Sequence, residues 1–437
     1  MFSNRSVRTR ASAALAIATA AATLVIAGCG GSSDSGQSSG KPLSAGKPTG
    51  SIRLLAHSSI QAPLTAVIKN FEQANPGVKV NAQFAAPGTP FVQSLTTQVQ
   101  GGNAPDVFYT TGGTASDGPV SVLPLAKAGK LQEFTNASWA GDIPDAAHDL
   151  FYSGGKLYAL PLFLAPLAVE YNVTEFNKLG LKPPTTYAEL LQLCGKIKAA
   201  GKVPMAVPGQ AAVILPLEFA ANLVYSKDPD WNTKRAANQV TFAGTPGWKD
   251  ALQRMVDMNK AGCFQKGASG AAVPAAVGLV SAGKALMFPG PIDALGFIGA
   301  GAKKGTEFAA FPLPGDTPDQ TTAMVSYSSS LVVSAASKNK TTATKFVEFA
   351  ATPEQSEVAA KASGVISLQA AKTGNLPAPV SSFAQLLKDG KVTGYAPDAW
   401  TSGGPLNTAL IGGASGLLTG QKTPEQVLQS MDQQWGK

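Results

Sequence analysis

The sequence predicts an α/β fold, and three observations carry that expectation. Strand-like and helix-like segments alternate from Ser51 to Thr114. The helical segments each carry a single apolar stripe. An uncharged stretch, Leu162 to Pro166, lies between two apolar strands, Leu157 to Pro161 and Leu167 to Tyr171. Such alternation specifies a parallel sheet with helices on both faces. Pro161 and Pro166 cannot donate to a ladder, so strand pairing pauses between them. That segment reads either as a link between two sheets or as one buried strand with a bend.

Ser51 to His57 reads as the first strand, running into a loop of Ser58, Ser59, Ile60 and Gln61. A helix follows from about Pro63 to Asn75, with Leu64, Val67, Ile68 and Phe71 at helical spacing, and Asn75-Pro76-Gly77 stops it. Val78 to Phe84 alternates apolar and polar residues as a second strand. A second helix runs from about Pro90 to Gln100. Ala104 to Tyr109 makes a third strand opening into Thr110-Thr111-Gly112-Gly113-Thr114. In a parallel sheet, ligands bind beyond the carboxyl ends of the strands. His57 to Gln61 and Thr110 to Thr114 therefore belong to one rim.

The chain has 437 residues, enough for two or three domains, and is 44% hydrophobic and 14% charged. Its formal charge is +8, but beyond the leader only Arg53, Arg235 and Arg254 remain as arginines. Arginine forks dominate phosphate and base recognition, so this lysine-borne charge argues against nucleic acid. Residues 1–28 start basic, run apolar from Ala11 to Ile26 and end in small residues before Cys29, the pattern of a secretory signal. Gly30 to Gly50 is a flexible, polar tether. Two further cysteines remain, Cys194 on an amphipathic helix over 187–200 and Cys263 ending a helix over 246–262. An exported protein lives where disulfides persist. A bridge between the two is expected, with two buried thiols as the alternative.

Catalytic motifs do not assemble. Gly36 to Gly40 spells GxSxG, but within the tether, with no strand before it or helix after. Gly299-Ala300-Gly301 does not complete a dinucleotide fingerprint, because Gly305 comes one residue late. Only His57 and His148 are present as histidines, too few for a zinc site of the usual kind. A paired-carboxylate glycoside hydrolase needs only two acids and stays as a remote alternative.

The ordered set FEQANPGVKV, GGNAPDVFYTTGG, VLPLAKAGKLQEF, GGKLYALPLFLAPLAVEYN, GLVSAGKALMFPGP, EFAAFPLPG, KNKTTATKFVEFAATPEQ and TPEQVLQSMDQQW resembles the extracellular solute-binding proteins of sugar importers of the ATP-binding cassette type. The resemblance covers nearly everything from Ser51 to Trp435. Ile26-Ala27-Gly28-Cys29 likewise resembles a lipobox, which implies lipidation of Cys29 and anchorage to the outer face of the cell membrane. The resemblance implies a periplasmic-binding-protein-like fold: two α/β lobes joined by crossing hinge strands, with a neutral solute, a mono- or oligosaccharide, held between them. The N-terminal lobe takes residues 51–163 and 313–363, and the C-terminal lobe 164–312 and 364–437. A second crossing is expected near Phe308 to Pro314 and a third near Gly364 to Leu368.

Carried over position by position, the resemblance implies ligand contacts at His57, Ser58, Ser59, Thr110, Thr111, Gly112, Phe163, Leu164, Gln210, Gly290, Asp293, Tyr327, Ser328, Asp398 and Trp400. Trp400 is the expected stacking ring, and Asp293, Asp398 and Gln210 the expected hydroxyl partners. Ile292 stands where many sugar binders of this type carry Trp. A polyamine, peptide or metal as cargo on the same fold is the alternative. No cofactor and no resident metal is expected. The partners implied are the solute, the permease subunits and, through lipid, the membrane, with a monomeric receptor.

Overall fold

The computed structural model describes residues 46–436, apart from Pro87, Ser328 and the side chain of Gln210. The leader, Cys29 and the tether as far as residue 45 lie outside the described residues. The strands are β1 (Ser51–His57), β2 (Lys79–Ala85), β3 (Val107–Thr110), β4 (Tyr152–Ser153), β5 (Lys156–Leu157), β6 (Leu160–Pro161), β7 (Ala165–Asn172), β8 (Val203–Met205), β9 (Ala285–Pro291), β10 (Phe308–Phe311), β11 (Ala323–Ser326), β12 (Ser330–Val333) and β13 (Val392–Gly394).

Two main sheets form. The first has the order β2-β1-β3-β12-β6, with β1 parallel to β2 and β3, and β12 antiparallel to β3 and β6. The second has the order β13-β11-β7-β9-β8, and β10 also pairs with β7. Strand β7 is paired along both edges, by β9 on one and by β10 and β11 on the other, and its side chains are buried along most of its length. Burial on both faces accounts for its nearly continuous apolar sequence. Helices Gln61–Ala74 and Thr89–Gln100 form where the apolar spacing places them, burying Leu64, Val67 and Phe71 from one and Phe91 and Leu95 from the other.

The chain passes from the first sheet to the second between β6 and β7, over Leu162 to Leu164. The second crossing differs from expectation. Phe308 to Phe311 stays in the second sheet as β10, because its backbone pairs antiparallel with Val169 to Asn172 of β7. The return to the first sheet is made between β11 and β12. The third crossing begins where Leu164 and Ile366 bridge, each donating to the other's carbonyl. Val365, Ile366, Leu368, Val380 and Phe383 remain part of the first core, however, and the chain rejoins the second sheet only at β13. The helix Leu368–Thr373 packs against the preceding helix Pro353–Ser363, which keeps this stretch with the first core.

Cys194 and Cys263 are bridged, their Cα atoms 5.1 Å apart. The bond ties the helix Tyr187–Ala199 to the end of the helix Pro246–Lys260 inside the second core. Closing a loop across a separation of 69 residues restricts the unfolded chain. Replacing both cysteines by Ala is therefore expected to cost about 2–4 kcal/mol. Urea unfolding under non-reducing conditions measures it, and an unchanged midpoint would show the bridge to be idle. No helix among the described residues is long and apolar enough to cross a membrane.

Candidate functional site

The carboxyl ends of β1 and β3 are neighbours, which sets His57 beside Tyr109 at one rim. The two rings stack with centroids 5.4 Å apart and planes 19° from parallel, and Phe91 meets the His57 ring edge-on at 5.6 Å. The Nδ1 atom of His57 lies 2.5 Å from Ser59 Oγ. Burial lowers the imidazole pKa, against the opposing pull of the Asp117 carboxylate. Asp117 accepts the Thr111 backbone N–H at 3.0 Å, while its own N–H donates to Ser121 Oγ at 3.1 Å. Burial pushes the Asp117 carboxyl up, and these contacts only partly offset it. The Tyr109 phenol is raised by burial first and then by Asp117 and Asp398, and it hydrogen-bonds Ser329. Two acids, an imidazole and a serine thus converge on one buried tyrosine.

The loop beyond β3 is closed against the last third of the chain. Gly113 donates its N–H to Leu150 O at 2.8 Å and Thr114 donates to Asp398 O at 2.9 Å. The Thr114 hydroxyl donates to Trp400 O and the Ser116 hydroxyl to Asp398 Oδ1. Gly113 has φ +70°, and a Cβ there would stand 1.9 Å from Asp398 O. Only glycine permits both that backbone conformation and that approach. Trp400 itself belongs to the second core, so this contact joins a loop of the first sheet to a segment rooted under the second. A cavity of about 740 Å³ opens beside it, lined by Thr114, Ala115, Tyr152 and Thr401 to Gly403 among others.

The structure distributes the sequence candidates unevenly. His57, Ser59, Thr111, Gly112 and Asp398 gather at this rim. Thr110 sits there too, but its hydroxyl donates inward to Val120 O, so it holds the loop and presents nothing outward. Trp400 is fully buried, packed on Phe242 at 5.1 Å and Trp248 at 6.1 Å, with no face left for a ring to stack on. The expectation of a stacking wall at Trp400 is thereby corrected: its aromatic neighbours come from distant stretches of chain. Asp398 is buried as well, its carboxylate engaged by Ser116.

Gly290 lies within β9 opposite Ala168, and Asp293 follows it with Oδ1 buried and lacking a hydrogen-bond partner among the described residues. Ile292 is fully buried. Phe163 is buried in the first core. Leu164 and Tyr327 line a different cavity from the rim. Ser58 is half-buried after His57. Ser328 and the side chain of Gln210 lie outside the described residues. Sequence reasoning missed Asp117 and Ser116 as polar groups of the rim. The sequence reading gave Ser116 and Asp117 no role, and nothing in the string announced that the Asp117 carboxylate would act on His57 at the end of β1.

In the second sheet, Glu170 on β7 and, on the adjoining helix Ile214–Ala220, Glu218 are buried with no hydrogen-bond partner among the described residues. Burial raises both carboxyls well above the ordinary range, and Glu218 and Asp293 add repulsion at Glu170. Among the described residues no three or more His, Cys, Asp or Glu side chains gather as metal ligands would.

Residues 57–357 match the family of bacterial extracellular solute-binding proteins. The chain is similar to the multiple sugar-binding protein of Streptococcus mutans, 27% identical over 301 residues, which covers 67% of this chain and 69% of that one. Its fold is similar to that of the apo form of RafE from Streptococcus pneumoniae, with TM-score 0.70, 21% identity and coverage of 90% of this chain and 99% of that one. It is also similar to a sugar transporter of Bacillus licheniformis in complex with stachyose, with TM-score 0.64, 20% identity and coverage of 88% and 99%.

Proposed function

The chain belongs to the bacterial extracellular solute-binding proteins, and we propose that its solute is a small neutral saccharide bound at the rim of the first sheet. As a member of that family it is a solute receptor and not an enzyme. The observation that carries the saccharide reading is the polar shelf of His57, Ser59, Asp117 and Ser329 around Tyr109. It supplies both donors and acceptors for hydroxyl groups on a rigid aromatic base. No lysine or arginine is one of these shelf residues, which disfavours phosphate esters. The multiple sugar-binding protein is a relative whose name agrees with this reading. Delivery to the permease of an ATP-driven importer, by closure of the two lobes over the solute, follows from the same reading. So does anchorage through a lipidated Cys29.

A thermal-unfolding panel on the purified chain tests the cargo, using mono- and oligosaccharides, polyols, spermidine, dipeptides and divalent cations. A saccharide at a hundredfold excess over its Kd should stabilise the folded chain by about 2.7 kcal/mol. Asp117→Asn should reduce that response, since it weakens an acceptor at the shelf without emptying the core. A response to spermidine, a dipeptide or a cation, with none to any saccharide, overturns the saccharide reading and keeps the receptor.

A further inference from the structure

The helices Val273–Ser281 and Ala294–Ala300 pack on each other and on β9 and β10 of the second sheet, around a small core of Ala276, Val280, Phe288, Ala294 and Ile298. Their only polar side chain is Ser281, which is buried and donates to Ile298 O at 2.7 Å. A helix at a protein surface ordinarily turns charged or polar residues outward. These two turn out Val273, Pro274, Ala275, Gly278, Phe297 and Ala300 instead. We propose that this face is a membrane-contact surface, which lies against the anionic headgroups of a lipid bilayer and sets Phe297 among the upper acyl carbons.

Phe297 carries the apolar half of that inference. It is 67% exposed, and only Val273, at 47%, and Leu179, at 38%, join it as exposed large hydrophobics among the described residues. All three belong to this part of the second sheet. Leu179 closes the helix Val173–Lys178, whose Glu175 lies beside Gly283, just past the end of the first of the two helices. The start of that helix is held by Glu307, which follows the second: Val173 donates its N–H to Glu307 O at 2.9 Å, and the Glu307 N–H donates to Thr174 Oγ1 at 2.9 Å. Single exposed apolar residues are ordinary, but a group of them on one uncharged face marks an interaction surface.

The charge around the face identifies the partner. Lys178, Lys182, Lys284, Lys303 and Lys304 are exposed about it, with Lys202 half-buried. Against them stand an exposed Glu307, a half-buried Asp293, and Glu175, which already pairs with Lys178 at 2.6 Å and Lys202 at 3.3 Å. An apolar centre with a surplus of lysine complements a negatively charged, oily interface. Lysine stems lie along apolar surface while their ammonium groups stay at headgroup level. A protein partner fits less well, because protein interfaces are enriched in Arg, Tyr, Trp and Met and depleted of Lys. None of those four enriched types occurs in the three helices. No residue of these helices lines the rim cavity or the cavity of Leu164 and Tyr327, so the contact is separate from both, as it is from anchorage through Cys29.

Co-sedimentation of the full chain with vesicles of phosphatidylglycerol and phosphatidylcholine, and with vesicles of phosphatidylcholine alone, tests the proposal. The wild type should bind the anionic vesicles, and less tightly as salt is raised. Phe297→Ser should lower that partition about tenfold. Lys303→Ser with Lys304→Ser should lower it by about tenfold as well, on anionic vesicles alone. Any binding through residues 1–45 is common to every variant, so the comparison isolates the face. Phe297 is exposed, so Phe297→Ser should melt with the wild type, which separates lost binding from lost fold. Hydrogen exchange with anionic vesicles present should slow over residues 294–304 and stay unchanged over residues 107–114 of the rim. Equal partition of the wild type and both variants overturns the surface, as does binding indifferent to lipid charge. Self-association lost in Phe297→Ser, without vesicle binding, would assign the face to a second copy of the chain and overturn the lipid reading.

Discussion

Glu170→Gln should make the protein more stable at pH 8 and remove much of its pH dependence. Glu170 sits on the central strand of the second sheet with both carboxyl oxygens buried and unpartnered among the described residues. Burial first, and then repulsion from Glu218 on the neighbouring helix and Asp293 beyond β9, raises its pKa well above the ordinary glutamate range. A carboxyl whose folded pKa is raised takes up a proton on folding. Its contribution is fully present below the ordinary glutamate range and is lost as pH rises from there toward the raised value. The slope is about 1.4 kcal/mol per pH unit for each proton taken up. Glu218 is raised in the same sense, so both acids make the wild-type chain less stable as pH rises from 5 to 8.

His57, whose pKa is lowered, acts with the opposite sign, since its contribution is lost as pH falls through its range. The exposed glutamates with lowered pKa, Glu425 at about 2 among them, act only below the usual carboxylate range. The difference between wild type and Glu170→Gln isolates the buried group from these others. Calorimetric melting temperatures at half-unit steps from pH 5 to 8 supply it. A constant difference across that window would show Glu170 to be ionised in the folded chain, contrary to its surroundings.

Gly113→Ala should be among the most damaging single-methyl additions available to this chain. The residue has φ +70°, which costs a non-glycine residue about 1–2 kcal/mol by itself. The new Cβ would also stand 1.9 Å from Asp398 O and 2.5 Å from Asp398 C, both backbone atoms that cannot swing aside. The loop or the Asp398 segment must therefore move, and the bonds from Thr114 and Ser116 to Asp398 and Trp400 are strained or lost. With about 1 kcal/mol for each bond, the total reaches about 4 kcal/mol. Gly129→Ala is the control, because Gly129 has φ +66° and nothing within 4 Å of its added Cβ. Urea midpoints of the two variants separate conformational strain from collision. Equal losses would mean that the close approach at Asp398 carries no energy. Solute affinity should fall in Gly113→Ala alone, if the rim is where the saccharide binds.

The fold was legible where local pattern and tertiary role coincide. Ile52, Leu54 and Leu55 mark a buried strand whatever surrounds them, and Leu64, Val67 and Phe71 mark one helix face. Pro161 and Pro166 bracket the first crossing because neither can extend a ladder. The second crossing was misplaced for a physical reason. Phe308 to Phe311 looks like any apolar strand, and only its pairing with β7 shows which sheet it serves. The real crossing, at the Ser-rich stretch after Ser326, looks like an ordinary loop. At the site, His57 and Thr111 could be located from strand ends alone. Trp400 could not, since its burial is decided by Phe242 and Trp248, more than a hundred residues earlier. Asp117 was not singled out, since only the folded loop brings its carboxylate onto the Thr111 N–H and toward His57.

The order of strands in the first sheet also governs when that sheet can exist. Strand β12 sits between β3 and β6, and Ser330 bonds to Thr110 across a separation of 220 residues. During synthesis the first lobe emerges early, yet its sheet stays open in the middle until more than three-quarters of the chain has been made. Pairings so distant in sequence form slowly. A nascent chain that cannot complete its first core remains unfolded for longer, with its strand edges unpaired until β12 has been made. The same interleaving means that a fragment ending before β12 leaves the first sheet incomplete, with one edge of β3 bare.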